Sequence, residues 1–263
     1  MAELRWDMTF HALDGIPLIK EGDDLASIIC DAATTSGLTF QDDDVLVVAQ
    51  KIVSKAEGRV VNLADVTPTD RAKRLAEHTG RDPRLCQLYL DESRAVLEVK
   101  GRHVVTLHKL GLVGTGAGID RSNVANRDQG LVILLPADPD ASARRIRQGI
   151  RSLTGHRVAV IVSDSLGSPS RDGAIGAAIG LAGIRHLEEP SEHDLFGNPS
   201  APWIDRVDEI AAAASILMGQ SAAARPVVVG RGISYTVDED ASIRRLLLDV
   251  PVPDIDYDLA HFQ

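Results

Sequence analysis

Two glycine-flanked aspartates carry the sharpest chemical signal in this sequence. Asp120 sits in GTGAGIDRSN, Gly114–Asn123, with Asn123 three positions on; Asp164 sits in IVSDSLGSPSRDG, Ile161–Gly173, beside Ser165. Each turn ends an apolar run. A carboxylate next to neutral oxygen donors at a strand end suits a hard divalent cation such as Mg²⁺ or Mn²⁺. The glycines let backbone N–H groups approach phosphate oxygens. Taken singly, each pair also reads as a capping Asp with a turn residue. Two such turns in one chain predict a metal–nucleotide site. A spacing of three would put Asp120 and Asn123 on one face of a helical turn.

Other charged residues carry weaker signals. Lys51, Lys55 and Arg59 flank Glu57 after a buried strand, either as a solvated loop or as cations for a polyphosphate. Asp208 and Glu209 open a helix that stops at Met218-Gly219-Gln220, an acid pair favoured by the helix dipole followed by a glycine stop. His186 and His193 stand seven apart with no third ligand nearby, which reads as two surface histidines and not a zinc site. The standard nucleotide motifs do not fit. There is no G-x-x-x-x-G-K-[ST] loop, and Gly114, Gly116 and Gly118 have the wrong spacing for G-x-G-x-x-G. No G-x-S-x-G elbow surrounds Ser163 or Ser165.

The elements that must position these residues are legible in outline. Leu4–Leu13 reads as a first strand, and LASIICDAATTSG as a helix capped by Asp23 or Asp24 and ended by Gly37. Val45–Gln50 is a buried strand, with Ser54–Arg59 as the polar loop after it. Thr67–Gly80 is a helix with Thr67 as its cap and Pro68 in its first turn, and Asp82–Arg94 is another. Strands follow at Ala95–Val99, Val104–Leu107 and Leu131–Leu135. PADPDAS then opens a long amphipathic helix to Thr154. Val158–Ser163 is a strand that ends on Asp164. Ala174–Ala182, rich in Gly and Ala, favours a close-packed helix or sheet crossing. Val207–Met218 is an Ala-rich helix, Pro226–Val229 a strand, Ser242–Leu248 a short helix, and Glu188–Pro202 a candidate mobile loop. Strands and helices alternate without a clean βαβ period, which predicts an α+β or mixed α/β fold, neither P-loop nor Rossmann.

At 263 residues, with ordinary hydrophobic (44%) and charged (25%) fractions, the chain can bury a large core as one unit or two subdomains. A net charge of −10 argues against a nucleic-acid partner but leaves room for a local basic cleft that binds a small anion. Cys30 and Cys86 read as core thiols. No apolar run is long enough for a bilayer, and the N-terminus lacks a signal-peptide layout, so a cytoplasmic protein is expected.

Several segments together resemble the gamma-glutamyl ligases of coenzyme F420 biosynthesis. They are GIPLIKEGDDL, DVLVVAQKIVSKAEGR, AGIDRSN, LPADPDASARRIR, VIVSDSLGSPSRDGAIGAAIG and VDEIAAAASILMGQ, collinear over nearly the whole chain. The resemblance is to the single-domain form, a unit spanning 1–263 without a nitroreductase-like extension. It implies a family-specific fold and an intertwined homodimer. It also implies a GTP-dependent ligase with two Mg²⁺ or Mn²⁺ sites and K⁺ as a helper ion. The implied reaction joins L-glutamate to the lactyl carboxylate of a deazaflavin phospholactate precursor through an acyl phosphate, then adds glutamate through its gamma-carboxylate. By the same resemblance Asp120 and Asp164 match first-metal ligands, and Ser165 and Gln220 second-metal positions. Ile16, Pro17, Leu18, Ile19, Gln50, Lys55, Asn123, Met218 and Gly219 match nucleotide-contacting positions. The family pattern usually has Asn where Gly116 stands, an Arg lost at Gly167–Arg171, and a Gly/Asp-rich stretch where this chain has Ser221–Arg225. These departures suit a paralogous amide ligase with a different carboxylic acid as the alternative. A non-catalytic nucleotide-binding module and a phosphoester hydrolase using the same aspartates are the readings from other classes.

Overall fold

The computed structural model describes residues 7–124, 130–167, 172–189, 193–199, 203–219 and 222–250. The order begins β1 (Thr9–Ala12), α1 (Leu25–Thr35), β2 (Val45–Ala49), α2 (Gln50–Ala56), β3 (Val60–Asn62), α3 (Asp70–Thr79) and α4 (Pro83–Asp91). It continues β4 (Ser93–Lys100), β5 (His103–His108), β6 (Val113–Thr115), β7 (Leu131–Ile133) and α5 (Pro139–Thr154). It closes with β8 (Ala159–Gly167), β9 (Ala174–Ala182), α6 (Arg206–Met218) and β10 (Val227–Arg231). The fold is α+β. The described residues form two compact units, one drawn from 1–57, 136–165 and 176–246, the other from 58–135, 166–175 and 247–263.

The first unit is built on a five-stranded sheet in the order β1-β10-β2-β8-β9. Its central strands are apolar throughout, as burial on both faces demands. Val45, Val47, Ala159, Ile161 and Val228 form one core with Val207, Ile210, Ala211 and Ala214 of α6. Leu46, Val48, Val160, Val162, Val227 and Val229, which alternate with them, are equally inaccessible to water. Small residues set the close approaches. A Cβ on Gly149 would lie 2.4 Å from Ala26 Cβ, so α1 and α5 touch there. Cβ atoms on Gly176 and Gly180 would strike Ala211 O and Pro139. The Gly/Ala-rich segment is therefore a strand, and its glycines admit the helices lying against it. β9 is an edge strand, and two of its N–H groups go to carboxylates: Ala178 to Asp208 Oδ1 (2.7 Å) and Leu181 to Asp140 Oδ1 (2.8 Å).

Capping explains most helix limits. Asp24, and not Asp23, caps α1 by accepting from Ala26 and Ser27 N–H groups; Asp23 instead closes a turn on Lys20 N. Asp138 caps α5 and Gly155 ends it at φ 80°. α3 starts later than the sequence suggests: its cap is Thr69, not Thr67, with the Thr69 side chain accepting from Ala72 N and the Thr69 N–H donating to Gln87 Oε1 at 2.9 Å. The presumed loop at Ser54 begins inside α2, where Ile52, Val53 and Ser54 are buried and hold the helix to Ala56. β8 continues past Ser163, the last residue that pairs with β2, as far as Gly167. The helix expected at Ser242–Leu248 shrinks to one 3-10 turn, Ile243–Arg245, because Asp140 takes the Ser242 hydroxyl and the Ile243 N–H. Of the expected first strand, residues 4–6 lie outside the described residues. So do 190–192 and 200–202 of the expected mobile loop, whose 193–199 stretch is closed by Asp194 accepting from Phe196 and Asn198 N–H groups.

The second unit has a three-stranded antiparallel sheet, β4-β5-β6, a two-stranded β3-β7 ladder and the α3–α4 pair. Leu75, Leu85, Cys86, Leu88, Tyr89, Val96, Val104 and Leu134 are among its core residues. Cys86 is fully buried, as the sequence predicts, while Cys30 in the first unit is half-buried; burial raises both thiols above the usual value. A polar group sits at the end of β5. His108 Nδ1 accepts from Leu110 N (3.0 Å), which puts the proton on Nε2. That Nε2 is buried, without a hydrogen-bond partner among the described residues, 3.9 Å from Glu92 Oε2. Glu92 is engaged by Arg59 at 2.5 Å. Burial first, then the charges of Arg59, Lys109 and Arg94, push His108 down to about 4.

The consequence for stability has a definite sign. The unfolded chain binds a proton at His108 below its ordinary value of 6.5, and the folded chain only near 4. Stability is therefore full above pH 6.5 and falls by about 3 kcal/mol as the pH drops to about 4. His108→Asn keeps an acceptor for Leu110 N and removes the titration. In urea unfolding from pH 4 to 7, the wild-type curve is expected to rise more steeply than that of the variant. Parallel curves would refute the assignment.

Candidate active site

The carboxyl end of the parallel β2–β8 pair gathers most of the residues singled out above. The last rung pairs Ala49 with Ser163. Gln50 and Asp164 are the next residue on from that rung in each chain, Gln50 opening α2 and Asp164 continuing in β8. Carboxyl ends of parallel strands are where open α/β sheets place ligands, because both chains leave in the same direction there. β10 runs antiparallel to β2, with Val227 opposite Val48, and β1 runs antiparallel to β10, with Ala12 opposite Val228. The segment leaving β1 and the one entering β10 thus lie at the same end of the sheet.

Each side chain there has a defined state. Gln50 opens α2 and is buried, its Oε1 accepting from Ser54 Oγ at 2.9 Å. Lys55, one turn on, is half-buried. Burial, then the neighbouring Lys51 charge, holds its ammonium below the usual lysine value. Among the described residues no carboxylate forms an ion pair with Lys55, which leaves its charge for a ligand. Asp164 is half-buried and accepts the Ser165 N–H at 2.8 Å; Ser165 is exposed. Ile16, Pro17, Leu18 and Ile19 follow β1 as an irregular segment in which Ile19 is buried and Leu18 is 88% exposed. Gly22 N donates to Ala56 O (2.9 Å), which ties this segment to the end of α2. Asp14 pairs with Arg225 at 3.1 Å, which ties it to the strand entering from α6. Met218 ends α6 against the core, and Gly219 follows at φ 64°, ψ −167°, a conformation open only to glycine. Gln220 lies outside the described residues, as do Ser168, Ser170 and Arg171.

Arg59, read as one of three possible cations, and the Glu57 they flank are engaged elsewhere. Glu57 is held by Ser142 Oγ and the Arg145 guanidinium. Arg59 is committed to Glu92 and to Leu135 O (3.0 Å). Lys55 remains. Asp208 does more than favour a helix dipole, since its carboxylate anchors β9. Desolvation raises its neighbour Asp205, the cap of α6, to about 6. His193 is exposed and His186 half-buried. Among the described residues no three His, Cys, Asp or Glu side chains cluster about a common point.

Asp120 and Asn123 belong to the second unit. Gly116, Ala117 and Gly118 all have positive φ (62°, 52° and 64°) and wind the chain tightly ahead of Asp120. Two of these positions leave little room for a side chain. A Cβ on Gly118 would lie 2.8 Å from Leu135 Cδ1, and one on Gly116 would press on the Tyr89 ring at 3.2 Å. Ala117 bears the strain of a left-handed conformation while buried. Asp120 is then fixed by paired backbone bonds with Ile133, N to O and O to N, both 2.8 Å. Asn123 sits at φ 56° and is exposed. The two do not share a helical turn as their spacing suggested, because Asp120 is held extended in its bridge to Ile133 and Asn123 takes a left-handed backbone. Sequence reasoning passed over Ser54 and the Asp14–Arg225 pair. Ser54 had a signal, four residues after Gln50 on a helix; the ion pair had none.

Comparison with known proteins adds an independent line. The model of the F420-0:Gamma-glutamyl ligase family matches residues 15–232. The chain belongs to the F420-0:gamma-glutamyl ligase family. The coenzyme F420:L-glutamate ligase of Methanothermobacter thermautotrophicus is 40% identical over 238 residues, covering 89% of this chain and 93% of that protein. That of Archaeoglobus fulgidus is 40% identical over 247 residues, covering 89% and 96%. That of Methanopyrus kandleri is 36% identical over 250 residues, covering 92% and 96%. The matched span of this gamma-glutamyl ligase family member contains Ile16–Ile19, Gln50, Lys55, Asp120, Asn123, Asp164, Ser165 and Met218–Gln220. Among the described residues no helix is long and apolar enough to cross a membrane.

Proposed function

We propose that the chain joins L-glutamate to the carboxylate of a deazaflavin phospholactate precursor of coenzyme F420 at the expense of GTP, and then adds glutamate through a gamma-linkage. The observation that carries this reading is near-full-length similarity, at 36–40% identity, to proteins named coenzyme F420:L-glutamate ligase. The sheet end that presents Gln50, Lys55 and Asp164 together supports it.

A carboxylate cannot expel oxide, so it must first be activated. Its oxygen attacks the gamma-phosphorus of GTP, the bond to GDP breaks, and an acyl phosphate forms. The glutamate amine, having lost a proton, attacks the acyl carbon; phosphate leaves and an amide remains. The donors present suit a hard dication: the Asp164 carboxylate with the exposed Ser165 hydroxyl in one unit, and the Asp120 carboxylate with the Asn123 amide in the other. Bound there, a divalent cation would offset the repulsion between the two anionic reactants. Lys55 neutralises phosphate oxygens with an ammonium that no protein carboxylate claims among the described residues. Ser54 holds the Gln50 amide, so its remaining donors face a fixed direction.

Lys55→Ala is expected to raise the KM for GTP by about 10- to 100-fold, the worth of one charge-assisted contact, with a smaller change in kcat. An unchanged KM would remove Lys55 from the site. The direct test of the activity is incubation with the precursor, glutamate, GTP and Mn²⁺, followed by mass spectrometry for glutamate increments. The departures at Gly116, at Gly167–Arg171 and at Ser221–Arg225 favour a second reading, an amide ligase for another carboxylic acid. That reading predicts GTP turnover with a different acid from a panel and none with the deazaflavin precursor.

A further inference from the structure

The opposite end of the same sheet holds a basic cavity that the proposed reaction does not use. Its volume is about 580 Å³, and its walls include Arg144, Arg147, Gln148, Arg151, Gly183 and Glu239. Four of these stand at successive turns of one face of α5. The cavity lies at the amino end of β8, since Arg147 Nε donates to Val158 O at 2.9 Å. Asp164 is five strand steps further on, about 16 Å along β8.

The cavity is built, and it is not a loose row of surface charges. Arg147 is mostly buried and gripped at three points, by Val158 O and by both Glu239 oxygens at 2.5 and 2.7 Å. Gly183, at φ 76°, gives it room: a Cβ there would lie 2.4 Å from Arg147 Nε. Glu239 is the single acid on the wall and is spent on Arg147; Arg151 and Arg157 also act on its charge. Arg144 and Arg151 are exposed, and among the described residues neither has an ion-pair partner. Three guanidiniums against one carboxylate leave the cavity positive in a chain whose net charge is −10. Like charges on one helix face repel, so this arrangement costs stability unless an anion relieves it. Guanidinium forks take phosphate and carboxylate oxygens in the same bidentate way.

We propose that this cavity binds a small molecule carrying two or more oxyanion groups, without a metal, at a site separate from the one that contains Asp164. Phosphate chains and oligo-gamma-glutamate both offer that chemistry. The test is calorimetric titration in EDTA with two probes, pyrophosphate and tri-gamma-glutamate, the tighter of which identifies the source. The proteins are the wild type, Lys55→Ala, the double variant Arg144→Ser/Arg151→Ser, and the charge-matched control Arg74→Ser/Arg102→Ser. Saturable binding is expected to persist in Lys55→Ala and in the control. It should weaken tenfold or more in the double variant, whose melting temperature should not fall. Absence of saturable binding for both probes, an equal affinity in the double variant, or equal weakening in the control would overturn the proposal. Loss of binding in Lys55→Ala would assign the anion to the other end of the sheet and overturn it too.

Discussion

Asp164→Asn is expected to slow amide formation by about 10³-fold, or about 4 kcal/mol of transition-state stabilisation, while leaving the melting temperature near that of the wild type. The substitution isolates charge from shape. An asparagine oxygen can still accept the Ser165 N–H that Asp164 holds at 2.8 Å. What it cannot supply is the negative charge that, under the proposed function, would draw a divalent cation to Asp164. Asp120→Asn carries the same expectation in the other unit, where the paired backbone bonds with Ile133 do not depend on the side chain and keep the turn closed. In both variants the Mn²⁺ concentration for half-maximal rate should rise, a readout that a merely structural role would leave alone. Either variant turning over GTP like the wild type, with saturating substrates, would strike that residue from the site.

The second large effect falls on stability. The Asp140 carboxylate is 6% exposed and accepts three hydrogen bonds, from Leu181 N at 2.8 Å, Ser242 Oγ at 2.7 Å and Ile243 N at 3.1 Å. It also sits in the first turn of α5, where the helix dipole favours a negative charge. Asp140→Ala strands two buried N–H groups and releases the edge strand β9 from the helix. The expected loss is about 3–5 kcal/mol, a fall in melting temperature on the order of 10 °C. Ser242→Ala removes one of the three bonds and should cost only about 1 kcal/mol. Thermal and urea unfolding measure both. An Asp140→Ala protein within 1 kcal/mol of wild type would show that the network is incidental.

Much of this was open to reading from residues a few positions apart. The apolar run of β2, the Asp138 and Gly155 limits of α5, the Asp82 cap of α4 and the glycine stop of α3 all follow from rules that act within about one helical turn. The errors share one cause. Thr69, and not Thr67, became the cap where Gln87 of another helix accepts from its N–H and hydroxyl, and the loop at Ser54 became helix because its neighbours were buried by distant elements. Ala174–Ala182 has a composition compatible with helix or strand, and only the strands and helices around it resolved the choice.

The sequence by itself determined most element types, the chemical character of Asp120 and Asp164, and membership of the ligase family, because composition, local periodicity and collinear motifs are properties of the chain alone. Only the tertiary structure decided that β8 runs parallel to β2, so that Gln50 and Asp164 emerge together. It also decided that Arg59 is taken by Glu92 while Lys55 has no ion-pair partner among the described residues, and that Asp140 turns inward while Asp138 caps. Strand register and ion-pair choice depend on which surfaces meet, and burial makes those choices across stretches of chain far longer than any local spacing can encode.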